Sequence, residues 1–159
     1  MIFIGIDPGL TGGMAALLRD ETCVYQRTPT EWVQHATGRR RHYRIAAMRE
    51  WLAKLGDDCF ATIEQQHVHH GNGLVSAGTI MYGYGVWIGL AAGMSIPYQT
   101  IMPRTWKASF GGLLSADKKA SITLAHELFP ALNGKLSMTD DGIAEALLLA
   151  YYGKERMHG

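Results

Sequence analysis

An apolar run that closes on an acid constrains this chain more than any other feature. Ile2, Phe3, Ile4, Gly5 and Ile6 are unbroken by charge, and Asp7 ends the run just before Pro8-Gly9. A run of this kind reads as a strand buried on both faces, and such strands belong to sheets covered by helices. A second run, Phe60-Ala61-Thr62-Ile63, ends the same way in Glu64, and Asp140, Asp141 and Glu145 open the last helical stretch. A buried strand favours an apolar residue at its tip, so an acid there points to a role. Hard cations such as Mg²⁺ take oxygen ligands held on rigid elements, and two strand tips with one helix start supply them.

The bulk numbers narrow the field. The 159 residues fit one domain over 1–159, and an apolar share of 47% is enough for a proper core. A net charge of +1 gives no global basic field, so any nucleic-acid contact rests on local patches. Cys23 and Cys59 lie far apart with no CxxC spacing. A disulfide framework or zinc site is not expected; reduced thiols and a cytoplasmic location are. The N-terminus has no basic leader and enters a strand directly, so no signal peptide is expected. No uninterrupted apolar stretch approaches about 18 residues, so no membrane span is expected either.

Strands are predicted over 2–6, 14–18 and 22–27, joined by turns short enough for an antiparallel meander. Residues 28–42 read as a loop carrying Arg39-Arg40-Arg41. A helix over 43–55 follows, with Ile45, Met48, Leu52 and Leu55 at helical spacing. Then come a strand over 59–63, a polar loop over 66–73, a long helix over 74–93, a strand near 97–101, and helices near 117–128 and 140–153. The order β-β-β-α-β-α-β-α-α gives an α/β fold: a mixed five-stranded sheet with helices on both faces. The tips of the first and fourth strands fall side by side at its centre, and sites in such sheets form beyond the strand ends.

Asp141 and Glu145, four apart on a helix, share one face, and their repulsion costs a few tenths of a kcal/mol that a shared cation reverses. Asp140 points about a quarter turn away and suits a helix cap. The helix dipole favours acids in a first turn, which accounts for Asp140 and Asp141. It does not account for Glu145, Asp7 or Glu64. The chemistry such acids favour is phosphoryl transfer with two Mg²⁺ ions about 3.5–4 Å apart. Mn²⁺ accepts the same oxygens.

Together, IGIDPG at 4–9, IEQ at 63–65 and DDGIAEALLLAYYG at 140–153 resemble RuvC-type Holliday-junction resolvases of the ribonuclease H-like superfamily. Pro103-Arg104-Thr105-Trp106-Lys107 and Ala116-Asp117-Lys118-Lys119-Ala120-Ser121 resemble the basic segments those enzymes carry between the second and third acids. The resemblance covers nearly the whole chain, in order. It implies a ribonuclease H-like fold and a metal-dependent homodimer that cuts four-way DNA junctions symmetrically. It also implies Asp7, Glu64, Asp141 and Glu145 as metal ligands and catalytic acids, with Lys107 and Lys118 near the scissile phosphate. The last motif departs from the bacterial pattern, whose final two site residues lie three apart and end in Asp. Asp141 and Glu145 lie four apart, or Asp140 is used, as in phage or organellar members. That leaves the third ligand open among Asp140, Asp141 and Glu145, and it admits a broader nuclease of forks and flaps.

DNA contacts are expected from Lys107, Lys118 and Lys119, and from the denser cluster Arg39, Arg40, Arg41 and Arg44. His67 sits three residues after Glu64, where the resemblance places a wedge at the crossover. Trp106 suits either stacking on nucleic acid or filling core, and core is the preferred reading for a single tryptophan. The glycines at 78, 85, 89 and 93 permit either close packing on the sheet or a two-fold dimer face. Two other functions compete. Asp7-Pro8-Gly9-Leu10-Thr11-Gly12-Gly13 resembles the phosphate turn of actin-like and sugar kinases, but those close a second domain over ATP. A non-catalytic DNA-structure binder gains nothing from acids clustered against phosphate.

Overall fold

The structure is a computed structural model, and it describes residues 1–68, 71, 73–114 and 118–158. Strands β1 (Ile2–Asp7), β2 (Gly13–Leu17) and β3 (Cys23–Arg27) form the expected meander. A hairpin of β4 (Thr30–His35) and β5 (Gly38–Tyr43) follows, then α1 (Ile45–Ala53), β6 (Cys59–Glu64) and α2 (Leu74–Gly93). The chain continues through β7 (Tyr98–Ile101), α3 (Pro103–Ala108), α4 (Lys118–Leu128), a 3₁₀ turn at Pro130–Leu132, and α5 (Asp141–His158). Five strands make one mixed sheet in the order β3-β2-β1-β6-β7, with β1 parallel to β6 and β6 parallel to β7.

The period-two alternation of strands decides which face each side chain meets. On β1, Ile4 and Ile6 join Met48, Leu52, Ile63 and Trp87 in a core beneath α1 and α2. Phe3 turns the other way and packs with Ile122, Leu147 and Ala150 of α4 and α5. Asp7, in step with Phe3, therefore lies on the α5 face. The pairing of Ile6 with Ile63 carries Glu64 alongside at the same sheet end. Two acids from distant parts of the chain meet through strand register alone.

Glycine lets α5 reach them. A Cβ on Gly5 would collide with the backbone of Ala146, and one on Gly13 would stand 2.6 Å from the carbonyl of Gly142. The helix thus lies backbone-to-backbone on β1 and β2, and its first turn abuts the turn after Asp7.

Three expectations are corrected. Residues 28–42 are not a loop, because Thr30–His35 pairs with Gly38–Tyr43 through a tight turn whose Gly38 has φ of 122°. The arginine run obscured alternating strand positions around Trp32 and Val33. Pro103–Ala108 forms an extra helix led by proline at its first turn, a favoured helix start. The last helix runs to His158 rather than 153.

The uncharged α2 meets the length and composition of a membrane-crossing helix, which the sequence reading did not expect. Gly83, Trp87 and Ala91 are nonetheless buried, with Trp87 and Ala91 in the core against the sheet, and that fixes one face of the helix to the fold.

Candidate active site

Four acids from three elements act on one another at this sheet end. Asp7 closes β1, and its Oδ1 accepts the Gly9 N–H at 3.4 Å. Burial first, then the charges of Glu64 and Glu145, and more weakly Asp141, push its carboxyl up to about 8, against the Gly9 N–H. Glu64 closes β6 and is only 7% exposed. Its Oε2 accepts the Trp106 indole N–H at 2.8 Å and its Oε1 accepts the Gln66 amide at 3.1 Å. Burial and the Glu145 charge raise its carboxyl above the usual range, although Trp106, Lys107 and Gln66 pull the other way. A charged carboxylate in such surroundings loses hydration that its neighbours do not restore.

Glu145 reaches the cluster from the second turn of α5. Its Oε1 accepts the Lys107 ammonium at 2.7 Å and the Ser121 hydroxyl at 3.2 Å. Lys107 also stands 5.1 Å above the Trp106 ring, so one cation is held by a carboxylate and an aromatic face together. Asp141 is the first residue of α5 and bears on Asp7 through its charge.

Asp140 takes a separate set of partners. Its Oδ1 accepts Arg27 at 2.6 Å, and its Oδ2 accepts the Ser137 hydroxyl at 2.7 Å and the Ser137 N–H at 2.8 Å. Partial burial opposes ionisation, yet Ser137 and Arg27 hold this carboxyl below its ordinary value. The residue ties the start of α5 to β3, while the charges of Glu145 and, more weakly, Asp141 act on Asp7.

The basic residues divide by their partners. Arg41 donates to the Leu10 carbonyl at 2.9 Å and to the Thr30 hydroxyl at 2.7 Å, and the Tyr43 hydroxyl donates to the Pro8 carbonyl at 3.2 Å. The hairpin thereby braces the turn that follows Asp7. Arg39 lies 5.6 Å from the ring of Trp32, itself 59% exposed, and Arg40 and Arg44 are exposed. His67 and Lys119 are exposed as well. Lys118 begins α4, and its side chain lies outside the description. His69, His70 and residues 115–117 lie outside the described residues.

Sequence reasoning assigned Trp106 to the core. It is fully buried, yet it also touches Glu64, so it serves both packing and site. The contact of Gln66 with Glu64 and that of Ser121 with Glu145 were not read from the sequence; Gln66 lies two residues after Glu64, and Ser121 closes the basic segment that carries Lys118, which was the available signal. A concavity of about 710 Å³ between β3, the 3₁₀ turn and α5 contains none of the four acids.

Among the described residues no three acid, histidine or cysteine ligands already stand together as a metal cluster. The donor set nevertheless fits a divalent cation. It is all oxygen, it mixes Asp and Glu from rigid elements, and its mutual repulsion is balanced in part by Lys107. A hard cation at that place removes the repulsion that raises Asp7 and Glu64.

No protein-family model matches the chain. It is similar to the chloroplastic Holliday junction resolvase MOC1 of Chlamydomonas reinhardtii, 33% identical over 92 residues. That stretch covers 57% of this chain and about a tenth of the relative's length (10%). Among solved structures it resembles Thermus thermophilus RuvC, with a TM-score of 0.60, 20% identity, and coverage of 98% of this chain and 97% of that one. The same protein in complex with Holliday junction substrate matches with a TM-score of 0.59 and 11% identity, over 98% of this chain and 96% of that one. The chain therefore has the RuvC fold, a ribonuclease H-like α/β fold, along nearly its whole length, as the sequence resemblance implied. The last motif resembles phage or organellar members, and the chloroplastic relative is an organellar one.

Proposed function

We propose that this protein is a divalent-metal-dependent endonuclease that resolves four-way DNA junctions by symmetric phosphodiester hydrolysis. One observation carries the reading: Asp7, Glu64, Glu145 and Asp141 converge from three elements of a RuvC fold, with Lys107 set among them. Mg²⁺ is the expected ion, with Mn²⁺ able to replace it. Bound there, divalent cations supply an activated water and stabilise the leaving oxygen.

The chain's own groups do the remaining work. Asp7 and Glu64 hold the rigid side of the site, on adjacent strands. Glu145 and Asp141 complete it from α5. Lys107 places a positive charge where negative charge builds on the phosphate. Arg39, Arg40 and Arg44, with Lys118 and Lys119, hold the DNA backbone, and His67 faces the branch point. Arg41 acts from behind by fixing the turn after Asp7.

Symmetric cutting needs two sites related by a two-fold axis. The open face of α2 suits a second copy. Leu74, Val75, Met81 and Tyr82 are exposed, and a Cβ on Gly78, Gly85, Gly89 or Gly93 would meet nothing within 4 Å. Those glycines are not spent on the sheet; Gly83 is the one pressed against Tyr43. A homodimer through α2 follows, acting in the cytoplasm or in an organelle.

The test compares a labelled immobile four-way junction with a fork, a flap and linear duplex, in Mg²⁺ and in EDTA. Metal-dependent cutting confined to the junction is the expected result. Equal cutting of forks and flaps would make the protein a general branched-DNA nuclease. Binding with no cutting of any substrate would leave a structural DNA binder.

A further inference from the structure

We infer that Trp106 is a positioning residue for the metal site: its buried indole N–H fixes the Glu64 carboxylate so that one lone pair of each oxygen stays free for a cation. This assignment rests on the nuclease reading above. A glutamate carboxylate swings about three side-chain torsions, so a ligand at a strand tip needs an outside constraint to keep one orientation. Trp106 supplies it. The side chain is 0% exposed, packed edge-on against Phe110 with ring centroids 6.1 Å apart, and enclosed with Leu148, Leu149 and Tyr152.

An indole N–H is a donor only. Buried without an acceptor, it would cost the fold, so indole and carboxylate select each other. At 2.8 Å from Oε2, the bond occupies one lone pair and leaves another. Gln66 treats Oε1 the same way at 3.1 Å. The adjacent residue, Lys107, reaches Glu145 on α5. Two consecutive residues of the short α3 therefore grip acids from two different elements and set the gap between them. Partners of metal ligands in this position tune affinity by about 10–100-fold.

The test is Mn²⁺ binding to the full chain without DNA, by calorimetry and by the electron paramagnetic resonance of free Mn²⁺. Trp106→Phe keeps a ring and removes the N–H; it should weaken Mn²⁺ binding about tenfold or more. Trp51→Phe, on α1 away from the acids, should leave it unchanged. If Trp106→Phe misfolds, benzothienylalanine introduced at position 106 keeps the indole shape without the N–H, and the same loss is expected in a chain whose circular dichroism shows it folded. Unchanged Mn²⁺ affinity in a folded position-106 variant would overturn the positioning role while leaving the nuclease reading intact. Absence of Mn²⁺ binding by the wild type would overturn the metal site itself, and this role with it.

Discussion

Replacing Asp7 with asparagine should stabilise the metal-free protein and disable the metal-bound one. The Asp7 carboxyl is pushed to about 8 from an ordinary 3.8, by burial first and then by the neighbouring acids. In the unfolded chain it ionises near 4; in the folded chain it holds its proton to about 8. Its contribution to stability is therefore fully present below the unfolded value, falls as pH rises between the two, and is flat above about 8. At about 1.4 kcal/mol per pH unit, the full span sets a ceiling on the order of 6 kcal/mol. The residue keeps a partial opening to solvent and shares its titration with Glu64 and Glu145, so the effective figure is smaller. Asparagine removes the charge and can still accept the Gly9 N–H. At pH 8 in EDTA, Asp7→Asn should gain about 1–3 kcal/mol, or about 3–10 °C in melting temperature for a chain of this size. The gain should shrink toward zero at pH 5. Saturating Mg²⁺ should reverse the order, since a ligand at about 1,000 times its Kd adds about 4.1 kcal/mol to the wild type alone. Calorimetric melting of both proteins at pH 5 and 8, with EDTA and with Mg²⁺, reads all of this. A variant less stable than wild type at pH 8 in EDTA, or a difference that ignores pH, would refute the reasoning.

Other perturbations separate fold, site and surface. Gly5→Ala drives a methyl into the α5 backbone and should lower unfolding free energy by about 3 kcal/mol or more in urea titration. Lys107→Met removes the cation and leaves Glu145 with its Ser121 hydrogen bond, and junction cleavage should slow about a hundredfold under single-turnover conditions. Arg39→Ala with Arg40→Ala should lower the salt dependence of junction affinity by about two phosphate contacts, read from the slope of log affinity against log salt. Met81→Glu places a charge on the exposed α2 face and should halve the sedimenting mass.

The parts legible in the sequence were those written in side-chain period. Buried strands ending in Asp7 and Glu64, and a helix carrying Asp141 and Glu145, were enough to give the sheet and its acid end. Strand register then brought the acids together with no further information. The hairpin was hidden because Arg39-Arg40-Arg41 reads as a charged loop, although alternate residues of that run face opposite ways once paired with Trp32 and Val33. The partners of the acids were hidden for a different reason. Trp106 looks like any core tryptophan until α3 is folded over β6, and Asp140 and Asp141 are indistinguishable in sequence until Arg27 and Ser137 claim the first.

The central claim is that the acid cluster drives paired, metal-dependent cutting at a junction. A supercoiled plasmid that extrudes a cruciform tests it directly. Two incisions within one binding event yield linear DNA, whereas a single incision yields a nicked circle. The account predicts linear product in Mg²⁺, with nicks opposed across the junction, and none with EDTA, Asp7→Asn or Glu145→Gln. Linear product from either variant, or nicked circles alone from the wild type, would contradict it.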